Sequence, residues 1–253
     1  MKKLISITFS LVLSVTLHAV EVASGTCGDN LTWTFDHEGL LTRSGTGDMD
    51  DFQGFSLPWF GHDIKSVTIS DGVTSIGTYA FYHYNNLTSV SIGNSVTKIG
   101  NSAFQGCAGL TEFIIPDAVK TIGDESFADC TGLMRFAIGS GVTHIGTRAL
   151  GRCSSLAEIY VDDANQNYSS SMEGILFDKT QTTLIQYPLA RADWEMQPYN
   201  IPAPIIGDYA FAGCTGLTGI TLGYVDSIGR GAFSGCNIEL VNCYSPEPPS
   251  LYS

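Results

Sequence analysis

Residues 110–132, LTEFIIPDAVKTIGDESFADCTG, decide the fold, because the segments on either side repeat their pattern. LTSVSIGNSVTKIGNSAFQGCAG precedes them from Leu87 and LMRFAIGSGVTHIGTRALGRCSS follows from Leu133, so that Leu87, Leu110, Leu133 and Leu156 recur every 23 residues. A fixed period of this size is an internal repeat and predicts a solenoid. The first half of each unit reads Leu87-x-x-Val90-x-Ile92, Leu110-x-x-Phe113-x-Ile115, Leu133-x-x-Phe136-x-Ile138 and Leu156-x-x-Ile159-x-Val161, with Ile64, Val67 and Ile69 one period earlier. Apolar residues at every second position predict a strand with one buried face.

The second half of each unit repeats an Ile-Gly pair at Ile76-Gly77, Ile99-Gly100, Ile122-Gly123 and Ile145-Gly146. A small residue beside Phe or Leu follows, as Ala80-Phe81, Ala103-Phe104, Ser126-Phe127 and Ala149-Leu150. The glycine frees the backbone to turn, and the Ala-Phe pair reads as a short helical turn dropping into the core. Each period is then strand, turn and short helix. One unit cannot bury its own apolar face, whereas parallel copies about 4.8 Å apart make a continuous ladder of Leu, Val, Ile and Phe. The phrase returns at Ile206-Gly207, Ala210-Phe211, Leu217, Ile220 and Leu222, then at Ile228-Gly229 and Ala232-Phe233, which makes about seven strands in all, the last holding Ile238, Val241 and Cys243.

One coil is expanded: Leu156 and Leu217 lie 61 residues apart where one period is 23. The extra chain follows Val161, and Gly174-Ile175-Leu176-Phe177, the polar Asp178-Lys179-Thr180-Gln181 and Thr183 to Tyr187 predict a hairpin at the side of the solenoid. At the N-terminus Lys2 and Lys3 precede an apolar run from Leu4 to Leu17, with Ala19 before the expected cut. That is the pattern of a secretory signal peptide, and the run is shorter than the roughly 20 residues of a membrane span. The expected organisation is a signal peptide over 1–19, an N-terminal cap over 20–63, repeats over 64–161, the expanded coil over 162–205 and further repeats over 206–253, the last unit incomplete.

Charge narrows the partners. Against 12 basic residues stand 25 acidic ones, a net −13 that repels phosphate backbones and anionic lipids. Arg135, Arg148, Arg152 and Arg191 are scattered through the pattern, so nucleic acid is not an expected partner. Among the seven cysteines, Cys107, Cys130 and Cys153 share one repeat position, as do Cys214 and Cys236, with Tyr84 in the same slot of an earlier coil. Stacked side chains point the same way, which favours buried free thiols over disulfides. No Cys-x-x-Cys or Cys/His pairing has zinc spacing. Asp48, Asp50 and Asp51 lack the calcium-loop spacing and read as a solvated acidic loop. Asp178-Lys179-Thr180-Gln181-Thr182 is close to a phosphorylated-aspartate motif, but Gln181 replaces its glycine and a hairpin turn explains it. No Gly-x-Ser-x-Gly elbow is present, and His37, His62, His83 and His144 stand in no motif.

The 23-residue phrase with Ile-Gly and Ala-Phe resembles the BspA-like branch of bacterial leucine-rich-repeat proteins. The resemblance extends to Gly25-Thr26-Cys27-Gly28, Trp33, Gly45-Thr46-Gly47 and Pro58-Trp59, which look like that family's N-terminal cap, and to Glu173-Gly174-Ile175-Leu176-Phe177. It implies an α/β repeat solenoid, a right-handed leucine-rich-repeat coil with a parallel β-sheet on one face and short helical turns on the other. It also implies a place on or around a bacterial surface and adhesion to host-matrix proteins, microbial surfaces or glycans.

The functional expectation is an extracellular binding module with no catalytic residue, cofactor or metal. A structural surface component is the alternative, and a carbohydrate-active or protease-type enzyme ranks below both. Strand residues between the buried ones point outward in two columns. One reads Ser66, Ser89, Glu112, Arg135, Glu158 and Gly219, the other Thr68, Ser91, Ile114, Ala137, Tyr160 and Thr221. Small residues there need no function, but Ile114 and Tyr160 beside Glu112, Arg135 and Glu158 make the expected ligand-binding patch, because exposed aromatic residues flanked by charge are typical interface anchors.

Overall fold

The computed structural model describes residues 21–53, 56–190, 199–244 and 249–251. The predicted signal peptide and Arg191 lie outside them. Most repeats give the front face a four-residue strand and the face behind it a strand of two to four residues. The front strands are Ser66–Ile69, Ser89–Ile92, Glu112–Ile115, Arg135–Ile138, Glu158–Val161, Gly219–Leu222 and Leu240–Cys243. Where they pair they are parallel and match residues of one repeat position, as in Phe113 to Phe136 to Ile159. At the N-terminus Glu21–Gly28 and Leu31–Asp36 form an antiparallel ribbon continued by Leu40–Gly45, which pairs in parallel with Ser66–Ile69. This ribbon brings Leu31, Trp33 and Leu41 onto the apolar end of the stack, where they are buried with Trp59.

The front ladder is interrupted. Ser89–Ile92 closes one parallel block and Glu112–Ile115 opens the next. Behind them Lys98–Ile99 stays paired with Thr121–Ile122, so the two coils are joined at the back and parted at the front. Pro116 contributes to the break. At the same repeat position Gly93 N donates to Ile69 O at 2.8 Å, and proline has no N–H to donate to Ile92.

The expected helical turns do not form: no helix occurs among the described residues. Instead alternate amides leave the coil. Tyr79, Phe81 and His83 donate to Asn101 O, Ala103 O and Gln105 O of the next coil at 3.0, 2.7 and 2.7 Å, while Ala80 and Tyr82 between them bond back three residues to Gly77 O and Tyr79 O. A helix would send every N–H to the carbonyl four residues earlier, which this alternation forbids. The backbone also takes a left-handed step two residues beyond each Ile-Gly glycine, at Tyr79, Ser102, Glu125, Arg148, Tyr209 and Gly231 with φ between 51° and 59°. Another follows four residues later, at His83, Asp129 and Arg152 and at Gly106, Gly213 and Gly235. A non-glycine residue there costs about 1–2 kcal/mol, offset here by the hydrogen bonds to the next coil.

The repeated glycine acts differently from the turn residue expected. Gly77, Gly100, Gly123 and Gly146 have no left-handed φ. They lie against the preceding coil, where a Cβ at Gly77 would sit 1.9 Å from Asp50 O and one at Gly146 2.4 Å from Asp124 N. The aromatic ladder depends on this approach: Phe81, Phe104 and Phe127 stack with centroids 5.1 and 5.2 Å apart and planes 11° from parallel.

The expanded coil is part of the stack rather than a side structure. Tyr168–Ser170, Leu176–Asp178 and Thr183–Gln186 form an antiparallel meander, and the last strand pairs in parallel with Ile205–Ile206. Leu176 joins the N-terminal apolar core, and Ile175, Phe177 and Leu184 join the C-terminal one. The Asp178 turn is held by its own carboxylate, which accepts from Thr183 N, Thr180 Oγ1 and Thr182 Oγ1 at 2.9, 2.9 and 2.7 Å.

All seven cysteines are free. Cys107, Cys130 and Cys153 are fully buried, and each thiol donates to a phenylalanine carbonyl one coil back: Phe81 O at 3.0 Å, then Phe104 O and Phe127 O at 3.1 Å. Burial pushes these thiols up, Cys130 to about 12. The unfolded chain therefore releases these protons first as pH rises. Stability is full below the ordinary thiol value of 9.0 and falls as pH climbs toward 12. Melting scans across this range should show the decline, and a Cys107→Ala, Cys130→Ala, Cys153→Ala chain should show a shallower one. An unchanged slope, or a Cys107 to Cys130 bridge in mass spectra of the native chain, would contradict the thiol ladder.

Candidate functional site

Parallel register brings the five expected site residues together. Glu112, Arg135 and Glu158 are mutual partners in one outward column, and Ile114, Ala137 and Tyr160 in the next. Arg135 Nη2 donates to Glu112 Oε2 at 2.7 Å, and this hydrogen bond first, then the charges of Glu112 and Glu158, hold the guanidinium above its ordinary value. Both side chains are more than half exposed, so the pair adds little stability. Its use lies in orienting charge beside the apolar column.

Ile114 is 68% and Tyr160 52% exposed, unusual for side chains of this size. Between them Ala137 carries only a methyl group, so the column has a dip with two apolar shoulders. The depression measures about 240 Å³ and is lined by the five residues with Ala137, Phe113 and Phe136. Its floor is stiff, because Phe113, Phe127 and Phe136 pack beneath it with centroids 4.5 and 4.9 Å apart. A small-molecule pocket usually encloses about 300–1,000 Å³. This one is shallower and suits a protruding side chain or one sugar ring. It holds no serine, cysteine or histidine, so no serine or cysteine nucleophile is paired there with an imidazole base. The outward columns do not continue evenly, since Gly219 and Thr221 are buried.

The other sequence candidates are spread out. His83 and His144 are exposed in different parts of the coil, and no three His, Cys, Asp or Glu side chains among the described residues converge on a metal site. Asp48 and Asp51 terminate the ladder: Asp48 Oδ1 accepts from Thr74 Oγ1 and Asp51 Oδ1 from Thr78 N, both at 2.6 Å. Asp71, Asp117 and Asp124 take backbone amides of the next coil in the same way. Much of the acidity seen in the sequence therefore stitches coils together.

Two features had no distinct sequence signal. Arg43 is fully buried in the cap, its guanidinium 3.7 Å from the Trp59 ring centroid and its Nη1 3.4 Å from Cys27 Sγ, and burial lowers it to about 10. A cleft of about 640 Å³ lies in the C-terminal half between Pro202, Pro204, Tyr224 and Tyr244. Both tyrosines are strongly exposed, but their spacing departs from the 23-residue period.

The BspA-type leucine-rich-repeat region model matches six copies over residues 59–181 and 193–247. The chain belongs to this family. A leucine-rich repeat protein from Eubacterium ventriosum is 27% identical over 87% of this chain and 68% of its own, with a TM-score of 0.70. The pneumococcal vaccine antigen PcpA shares the fold at 17% identity over 87% of this chain and 70% of its own, TM-score 0.54. None of the curated proteins matches the chain in sequence. The family and these structures indicate no enzyme class, and no helix among the described residues is long and apolar enough to cross a membrane.

Because the site side chains are exposed and the floor lies below them, Ile114→Ser with Tyr160→Ala should leave folding intact. A melting temperature within about 2 °C of the parent is expected, since exposed changes stay within roughly 0.5 kcal/mol. A drop of about 8 °C would mean that the patch carries the fold rather than a ligand.

Proposed function

We propose that this chain is an exported, non-catalytic binding module of a bacterium, taking an extracellular protein or glycan at the depression between Ile114 and Tyr160. One observation carries the reading: two large apolar side chains stand exposed over a rigid aromatic floor, beside an oriented Glu112–Arg135 pair. Interface anchors have this make-up, with an aromatic group, an arginine and a charged rim on a scaffold that needs little ordering to bind. Export is supported by Lys2, Lys3 and the apolar run after them, and the acidic surface supports a partner other than nucleic acid. The shallow, open depression favours recognition over turnover.

The test is surface plasmon resonance of the folded chain against purified extracellular-matrix proteins and microbial surface glycans, run in parallel with the Ile114→Ser, Tyr160→Ala chain. Loss of an aromatic and an aliphatic anchor should weaken the bound partner by at least about tenfold. Equal affinity for both chains would refute this location.

A further inference from the structure

The break in the front ladder lies directly beside this patch. Among the described residues no hydrogen bond joins residues 88–93 to residues 111–116, and the two strands stand mostly more than 8 Å apart, against about 4.8 Å for paired strands. Alternation fixes which groups face the opening. Gly93 N bonds back to Ile69 O, so Ser89 and Ser91 also turn their amides toward the first coil, and those of Val90 and Ile92 face forward. From the far side Glu112 and Ile114 direct their amides into the same space.

The side chains tell the same story. Val90 and Ile92 are only half-buried, whereas the corresponding Val67, Ile69, Phe113 and Ile115 are 2, 1, 4 and 1% exposed. Backbone donors and acceptors at strand spacing over partly exposed β-branched residues are the surface to which an extended chain adds. A sugar could use the polar groups but would leave Val90 and Ile92 uncovered.

We propose that the opening between Ser89–Ile92 and Glu112–Ile115 receives an extended polypeptide segment of a protein partner, which completes the front sheet as an inserted strand. This deepens the reading of the same face as a binding surface by naming its partner class. The segment carries small apolar residues at alternate positions, facing Val90, Ile92, Phe113 and Ile115, and polar residues outward beside Ser91 and Glu112. It contains no proline, because both of its backbone edges are used.

A fluorescein-labelled peptide with the sequence of residues 64–71, IKSVTISD, is a suitable probe, since that stretch already pairs with Ser89–Ile92 on its other side. Fluorescence anisotropy should show saturable binding to the full chain. N-methylation at alternate residues should weaken it by at least about tenfold, because several backbone bonds are lost while the side chains remain. Hydrogen exchange on the free chain should be faster at Val90, Ile92, Glu112 and Ile114 than at Phe136 and Ala137, and peptide should slow it. A Val90→Lys chain, altered away from the Ile114 and Tyr160 side chains, should bind the peptide at least about tenfold more weakly while the Ile114–Tyr160 depression stays intact, which separates this proposal from the location of the patch. Protection of those four amides in the free chain, equal binding of the N-methylated peptide, or no binding at millimolar peptide would each overturn the inserted strand.

Discussion

The structure depends on one backbone contact made once per coil. Gly100, Gly123, Gly146, Gly207 and Gly229 donate to Ile76 O, Ile99 O, Ile122 O, Leu184 O and Ile206 O of the coil before, all between 2.8 and 2.9 Å. Any side chain at these positions would meet the preceding coil, so only glycine permits the approach. Once the coils are this close, the alternate amides of the following turn reach the next coil, and the left-handed residues that aim them become tolerable. The stacked phenylalanines and the buried thiols follow from the same spacing.

That spacing makes the front face a lattice. Residues one repeat apart become lateral neighbours, which sets Arg135 between Glu112 and Glu158 and sets Ile114 and Tyr160 on either side of Ala137. Change in a single residue within one coil therefore alters a surface whose framework stays fixed, the arrangement a binding scaffold requires. The lattice yields where the repeat itself changes: Pro116 stands where a donor is used in another coil, and the front sheet parts there.

Much of this was legible in the sequence. The leucine spacing and the alternation of Val90 and Ile92 or Phe113 and Ile115 identified the strands, their register and hence the site columns, because side-chain direction in a strand depends only on position. The cysteine slot was legible for the same reason. The second half of the repeat was not. Ala-Phe after a glycine fits a helical turn locally, and only the partners of Tyr79, Phe81 and His83 in the next coil reveal why it forms successive turns with left-handed steps instead of a helix. Buried Arg43 was hidden because its neighbours Trp59 and Cys27 come from distant parts of the cap, and the parting at Pro116 because it is a property of two coils.

Alanine at Gly123 isolates the central contact. Its φ lies outside the left-handed region, so in open space alanine would stabilise the fold by about 0.4–1 kcal/mol through the unfolded chain. In the stack its Cβ would lie 2.6 Å from Asn101 Oδ1 and 2.7 Å from Asn101 N and Gly100 C. At Gly223 the nearest atom to such a Cβ is Asn200 Oδ1 at 3.7 Å, which makes Gly223→Ala the control. Differential scanning calorimetry of the two variants should show Gly123→Ala melting at least about 4 °C below the parent, from about 1–3 kcal/mol of overpacking, and Gly223→Ala melting at or above it. Equal or higher melting of Gly123→Ala would contradict the claim that close backbone approach at the glycine column holds the solenoid together.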